Sequence, residues 1–571
     1  MRDRHFAPVK NSRDMTSPLY LSSCFTGSNG NYTLSPTPNN AWTLPTLLAA
    51  YRQANPWYNC WSSIQFNGTS VIACGLVNGG CPNNFVIENS MSPFVASSQP
   101  LTITFDVISP PKIAKWEGFG TSLAWWAVAV GKNGLDQQYA NLFYTLNDSV
   151  SAAYANSGPG SLPGLGFSIT RYNIGGTGIP EDSVPPNNVE MYYDGDGSTV
   201  GRNTTDKSAW YKLVPGFWAK NDPNAWFWGR DPNQWAIFAA IRAANPSTLV
   251  ELFSNAPMWW MTDVKSSMGG NLLPEMNSVF ISYVANVTAY FVKNLTVPIR
   301  SVEILNEPSA GWWNFSITSQ EGLNANITQQ QSLLTGLRNN LTNALPDVWV
   351  SGTDENNPDT AKTNLASILP LVQQYNVHSY WNLDQRRIDL KAKLGNKPFW
   401  MTEYGDGDST GVTLGYTIAH DINLMRPSAW INWQVIDPAW GLMTVNMGQT
   451  ITRGKVKQVN PKYYVMAQYS RFIRPNDKIL SSSDVSNTVV AFDGTSYKIV
   501  VGNYASQRNI TLDLRTIATA RGKAITGPLN TTYTSPLFNK FFQPMSCNVT
   551  GNTVTFSADA FAVYSFQIPP S

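Results

Sequence analysis

The chain is predicted to be α/β: a (β/α)8 TIM barrel with a side antiparallel β-sandwich, preceded by a loop-rich N-terminal extension. Three observations predict this. Eight strand-like segments alternate with helix-length stretches between Trp116 and Gln434, which suits a closed barrel better than an open sheet. After Pro461 that rhythm gives way to short alternating strands separated by Gly, Asn and Ser turns. Within the barrel span, two apolar runs end abruptly in glutamate, about a hundred residues apart: Val302-Glu303-Ile304-Leu305-Asn306-Glu307-Pro308 and Pro398-Phe399-Trp400-Met401-Thr402-Glu403-Tyr404-Gly405.

Residues 1–97 are rich in Asn, Ser, Pro and Gly and hold Cys24, Cys60, Cys74 and Cys81. They read as an appendage tied by disulfides whose pairing the spacing does not choose. Cys547 is left over, buried or free. The aromatics Trp42, Trp57, Tyr58 and Trp61 suit either a glycan-binding module or a stabilising cap. Residues 98–112 contain Leu101-Thr102-Ile103-Thr104-Phe105-Asp106-Val107-Ile108, an alternating strand contributed to the sandwich. The catalytic barrel is expected over 113–460. Its strands are Glu117–Gly120, Gly166–Ile174, Thr248–Ser254, Ser301–Asn306, Val348–Thr353, Tyr375–His378, Pro398–Thr402 and Ala429–Gln434. Helices such as Asp231–Ala244 and Gln330–Leu345 fall between them. The insert 177–230 is expected to form a rim loop over a cleft. Residues 461–571 make the C-terminal sandwich.

Charged residues are only 13% of the 571, and the net charge is +2. A typical globular chain carries about 25%. No long basic run is present, so electrostatics gives no case for a nucleic-acid partner. Aromatics reach 12%, with 21 Trp. Their flat faces stack on the C–H faces of sugars, so a neutral, Trp-rich chain suits a carbohydrate ligand. Only three His occur and no CxxC pair, so neither a metal site nor a cofactor is expected. No apolar run approaches the length of a membrane span. Twelve Asn-x-Ser/Thr sequons begin at Asn31, Asn67, Asn147, Asn203, Asn286, Asn294, Asn314, Asn326, Asn340, Asn509, Asn530 and Asn548. They predict a secreted glycoprotein, here expected to act as a monomer. The start Met1-Arg2-Asp3-Arg4-His5 does not open a signal peptide, so an incomplete gene start is expected.

A carboxylate is costly to bury without a partner, so a glutamate at the end of a buried strand needs a reason. Two of them at the C-terminal rim of a parallel barrel suit a pair that cleaves glycosidic bonds. Glu307 is then the general acid/base and Glu403 the nucleophile. Asn306 is placed to hydrogen-bond the hydroxyl beside the anomeric centre. Arg171, ending the second strand, is expected to hold Glu403 ionised by charge and hydrogen bonding, as is His378 or Tyr380 from the sixth. Trp433 would floor the subsite for the cleaved sugar. Trp125, Trp126, Trp259 and Trp313, from three Trp doublets, are candidates for sugar contact. Glu251 and Glu303 lie earlier in their strands and read as structural. Asp354, Glu355, Asp406 and Asp408 lie on loops after strands, read equally as solvated residues or substrate contacts.

Several motifs in order carry a resemblance. They are Glu117-Gly118-Phe119-Gly120-Thr121-Ser122-Leu123-Ala124-Trp125-Trp126, Arg171-Tyr172-Asn173-Ile174-Gly175-Gly176 and Phe253-Ser254-Asn255-Ala256-Pro257-Met258-Trp259-Trp260-Met261. Asn306-Glu307-Pro308, Ser319-Gln320-Glu321-Gly322, Thr402-Glu403-Tyr404-Gly405-Asp406, Asn432-Trp433-Gln434 and Arg471-Phe472-Ile473-Arg474-Pro475 follow. Over residues 100 to 571 the chain resembles glycoside hydrolase family 30, and within it the fungal endo-β-1,6-galactanase group. The resemblance implies a barrel with a side sandwich and a metal-free retaining double displacement. It places the acid/base at Glu307 and the nucleophile at Glu403, and implies a β-linked galactan substrate from arabinogalactan side chains. Two positions depart from it, Leu323 where Cys is expected and Asn476 where Gly is usual. The alternatives are another family-30 activity, namely β-1,6-glucanase, β-xylanase or exo-galactosidase, or a glycan-binding protein without catalysis.

Overall fold

The computed structural model describes residues 64–67, 70–73, 86–87 and 98–570, apart from 178–211, 315–319, 382 and 448–451. The four N-terminal cysteines, and with them the expected disulfides, lie outside the described residues. So do the aromatics of that extension and most of the 177–230 insert. Cys547 is a buried free thiol.

Eight parallel strands close into a barrel: Gly118–Ser122, Ile169–Asn173, Leu249–Phe253, Ile299–Glu303, Trp349–Glu355, Gln374–His378, Phe399–Tyr404 and Ala429–Asn432. The last pairs with the first, Ala429 opposite Gly118, which seals the ring. Each of the eight segments expected from sequence supplies one strand. Most of them are buried along their whole length, which is why they read as near-continuous apolar runs. Glycines in Gly118-Phe119-Gly120 permit the close pairing of the first two strands. A β-carbon at Gly120 would lie 2.3 Å from the Ile169 carbonyl oxygen. Helices fill the connections, including Pro232–Ala244 and Ile327–Ala344. The latter starts three residues before the expected Gln330, because the Asn326 side chain caps it by accepting from the Gln329 N–H.

The second body is a ten-stranded sheet that is antiparallel apart from one pair. Leu101–Asp106 runs parallel to Arg508–Asp513 on one side and antiparallel to Lys478–Ser482 on the other, so the segment before the barrel stitches into the sheet that follows it. The sheet folds over on itself. Phe556 packs against Tyr564 and Phe566, at 4.9 and 5.2 Å between ring centroids, although their strands stand six places apart in the sheet order. Helix Pro461–Ser470 docks the sheet on the barrel. Its Tyr469 hydroxyl donates to the Gly415 carbonyl, and its Gln468 carbonyl accepts from Ser565. No helix among the described residues is long and apolar enough to cross a membrane.

Candidate active site

The fourth strand ends at Glu303, and the chain then turns so that Glu307 stands four residues beyond it. Glu307 has φ +48°, a left-handed conformation uncommon for a side chain with a β-carbon. The surroundings over-determine it. Its N–H donates to the Asp354 carbonyl, and its own carbonyl accepts from the Ala310 N–H and the Trp313 indole, at 2.9, 3.0 and 2.8 Å. Glu403 lies inside the seventh strand, opposite His378 of the sixth. These two strands and the turn after the fourth therefore bring Glu307, His378 and Glu403 together. One donor atom from each, a carboxylate oxygen or imidazole nitrogen, lies within 4.8 Å of the others.

Glu307 Oε1 receives two contacts, the Asn356 amide at 2.7 Å and His378 Nδ1 at 2.9 Å. Glu403 Oε1 accepts from the Tyr380 hydroxyl at 3.0 Å and lies 3.5 Å from His378 Nδ1. Both nearby oxygens are thus positioned by protein groups. Glu403 Oε2 is buried with no partner in the protein.

Burial would lower the His378 pKa. The Glu403 charge, with Asp354 and Glu307, outweighs it and pushes the imidazole up to about 10. His378 is therefore an imidazolium, donating to Glu307. With a proton on Nδ1 shared toward Glu307, the trio suits proton chemistry. Glu403 is raised to about 7, first by burial and then by the Glu307 charge, against the pull of His378 and Arg171. Two carboxylates this close favour sharing a proton between them.

Beneath this trio lies a buried charge network. Arg171 donates to Glu251 at 2.8 Å, to Asp354, and to the Thr402 carbonyl at 3.2 Å. Its guanidinium lies 4.2 Å from the Phe253 ring centre. Burial raises the Asp354 pKa, yet Arg171 and His378 bring it below the usual carboxylate range. Two corrections follow. Arg171 makes no hydrogen bond to Glu403 and acts on it by charge alone. Asp354 and Glu355 are fully buried at the end of the fifth strand, where Arg171 pairs with the first and Ser309 and Asn364 donate to Oε1 of the second. Glu251 and Glu303 lie within their strands and are fully buried. Glu251 accepts from Arg171, Ser301, Ser351, Gln374 and Asn376 across the barrel interior.

The tryptophans separate. Trp125 and Trp433, after the first and eighth strands, pack edge to face at 5.1 Å. Trp126 is fully buried in the helix Trp126–Val130 against Tyr139 and Phe143, and its indole donates to the Ser122 carbonyl; it is a core residue. Trp259 is nearly buried in a short turn after the third strand, its N–H donating to Gly176. Trp313 is also buried, held under Glu307 and against Gly322, and its neighbour Trp312 faces solvent instead. Asp408 is buried as a turn-capping side chain that accepts from Thr410 and Thr413.

Sequence reasoning did not single out Asn356, Trp381 or Trp440, all of which stand at this site. For Asn356 a signal was present. It directly follows Asp354-Glu355, so the fifth strand could have been extended to aim it at the rim.

Buried polar atoms without a protein partner recur here: Trp125 Nε1, Asn173, Asn255 Oδ1, Asn306 Oδ1, Glu403 Oε2, Asn432 Oδ1 and Gln434 Nε2. They come from the C-terminal ends of six barrel strands or the residues that follow. Buried polar groups are normally paired, so a ligand rich in hydroxyls is their fitting complement.

No family model matches the chain. It is 34% identical over 451 residues, 76% of its length and 87% of the relative's, to an endo-β-1,6-galactanase of Hypocrea rufa. An exo-β-1,6-galactobiohydrolase of Bifidobacterium longum subsp. longum is 23% identical over 78% of this chain and 36% of that longer protein. Among solved structures, the catalytic domain of the GH30 xylanase C from Talaromyces cellulolyticus superposes with a TM-score of 0.55. It is 19% identical and covers 82% of this chain and 99% of its own. Barrel, side sheet and similarity agree: the chain is a glycoside hydrolase of family 30 and belongs to its fungal endo-β-1,6-galactanase group.

Proposed function

We propose that the protein is a retaining endo-β-1,6-galactanase in which Glu307 is the acid/base and Glu403 the nucleophile. The observation that carries the mechanism is the spacing, a carboxylate oxygen of each residue within 4.8 Å. Retaining pairs stand about 5–5.5 Å apart, whereas inverting pairs need about 6.5–9.5 Å to admit a water. Glu403 Oε1 is held by Tyr380, which leaves Oε2 to attack the anomeric carbon. As the C–O bond to the leaving sugar breaks, Glu307 protonates that oxygen through Oε2, its Oε1 being occupied by Asn356 and His378. Water then attacks the glycosyl ester and returns its proton to Glu307, and Glu403 departs as carboxylate. Asn306, beside the acid, is placed for the 2-hydroxyl; Trp125 and Trp433 wall the cleaved sugar.

The galactan substrate rests on the similarity to the Hypocrea rufa enzyme. Secretion as a glycoprotein is supported by the sequons: the nine asparagines from Asn147 to Asn548 that fall in the described residues are all exposed. Cleavage of β-1,6-galactan and β-1,6-glucan in parallel, with wild type and Glu403→Gln, tests the reading. Galacto-oligosaccharides from wild type alone are expected. Release of gluco-oligosaccharides instead would overturn the choice of sugar.

A further inference from the structure

Three tryptophans among the described residues are exposed: Trp312 at 36%, Trp381 at 38% and Trp440 at 41%. All three gather at one place. Trp381 and Trp440 flank Tyr380, at 6.2 and 6.1 Å between ring centres, and Trp312 lies 6.0 Å from Trp381. Tyr380 in turn donates to Glu403. Large apolar rings left facing water are normally scattered singly, so three gathered around one catalytic group mark a surface that meets a ligand.

The backbone tells which part of the ligand Trp312 and Trp381 meet. Trp312 sits on the loop that carries Glu307, and the next residue, Trp313, anchors that loop by donating its indole N–H to the Glu307 carbonyl. Trp313 is buried against Gly322, where a β-carbon would lie 2.1 Å from its ring, and this turns Trp312 outward. The exposed pair therefore stands on the acid's side of the site. Trp440 stands on the other side of Tyr380, over Gly405 beside the nucleophile. The acid protonates the oxygen of the departing sugar, so what lies on its side receives the leaving group.

We propose that Trp312 and Trp381 form the aglycone subsite, a two-ring platform that stacks the departing galactosyl unit. This deepens, and rests on, the galactanase reading. The same platform seats an acceptor sugar after the first half-reaction. An acceptor hydroxyl then attacks the anomeric carbon of the glycosyl ester, its proton passes to Glu307, and the bond to Glu403 breaks. A new glycosidic bond replaces hydrolysis.

The test compares kcat/KM for β-1,6-galactotetraose and for β-galactobiosyl fluoride in wild type, Trp312→Ala, Trp381→Ala and Trp381→Phe. The fluoride fills the glycone side alone and leaves without a platform. The ratio of tetraose to fluoride is expected to fall about tenfold in each alanine variant, the loss of one ring contact, and to recover in Trp381→Phe. With galactobiose added as acceptor, transfer products should fall in the same variants. A ratio within about twofold of wild type in both alanine variants overturns the assignment. Wild-type protein inert on both compounds overturns the galactanase reading, and this inference falls with it.

Discussion

Glu307 and Glu403 share one cationic neighbour, yet their surroundings differ. Glu403 is pushed up to about 7 by burial and by the Glu307 charge, so the proposed nucleophile ionises only as pH rises through that value. Removing the Glu307 charge should lower the Glu403 pKa, since a like charge disfavours ionisation. Glu307→Gln is therefore expected to move the acid limb of kcat/KM for β-galactobiosyl fluoride down by about one pH unit. A fluoride leaving group needs no protonation, so the first step survives the substitution. A limb that stays in place would show that Glu307 does not act on Glu403 electrostatically. At this scale both glutamates stood out in the sequence because a carboxylate that interrupts an apolar run is rare. The separation of each Trp doublet was not. Whether Trp312 or Trp313 faces solvent depends on a hydrogen bond to Glu307 and on the space above Gly322, neither of which a sequence pattern encodes.

At the level of elements, the loops over the barrel are tied by a residue whose motif gave no hint of its task. Glu321 is fully buried after the fourth strand and accepts from the Gly176 N–H and the Thr177 hydroxyl, joining the loops that follow the second and fourth strands. Parallel pairing of Met268–Asn271 with Gly322–Asn324 adds the third. Burial raises Glu321 to about 7, against the hydrogen bonds from Thr177 and Gly176. The folded protein thus holds this proton more tightly than the unfolded chain does. Its contribution to stability is complete below the ordinary glutamate pKa and is lost as pH rises through about 7. Asp231, also raised to about 7 by burial, acts in the same direction. Tm is expected to fall between pH 5 and pH 8, and Glu321→Gln, which keeps an acceptor and removes the ionisation, should reduce that fall by roughly 2 °C. An equal fall in both proteins, followed by calorimetry, would place the pH dependence elsewhere. Each barrel strand was visible in sequence because burial on both faces leaves an apolar run. The reach of the fifth strand to Asp354 and Glu355 was hidden, because the groups that permit burial, Arg171 for one and Ser309 and Asn364 for the other, come from other segments.

Across the whole molecule, the strand Leu101–Asp106 precedes the barrel yet completes the sheet that follows it, so the two bodies are tied at both ends of the barrel. The alternating pattern of that segment announced a strand, expected in the sheet that follows the barrel. Which two strands it lies between is a matter of long-range register, which local pattern does not carry. The barrel holds Glu307 and Glu403, the proposed catalytic pair, after strand four and in strand seven above the buried Arg171–Glu251–Asp354 network, and this framework is what fixes their short carboxylate separation. The stereochemistry of cleavage tests that central claim most directly. Proton NMR of the first sugars released from β-1,6-galactotetraose should show the β-anomer ahead of mutarotation, the result of two displacements at one carbon. Release of the α-anomer first would contradict the account, because it requires a single displacement by water that this spacing leaves no room to admit.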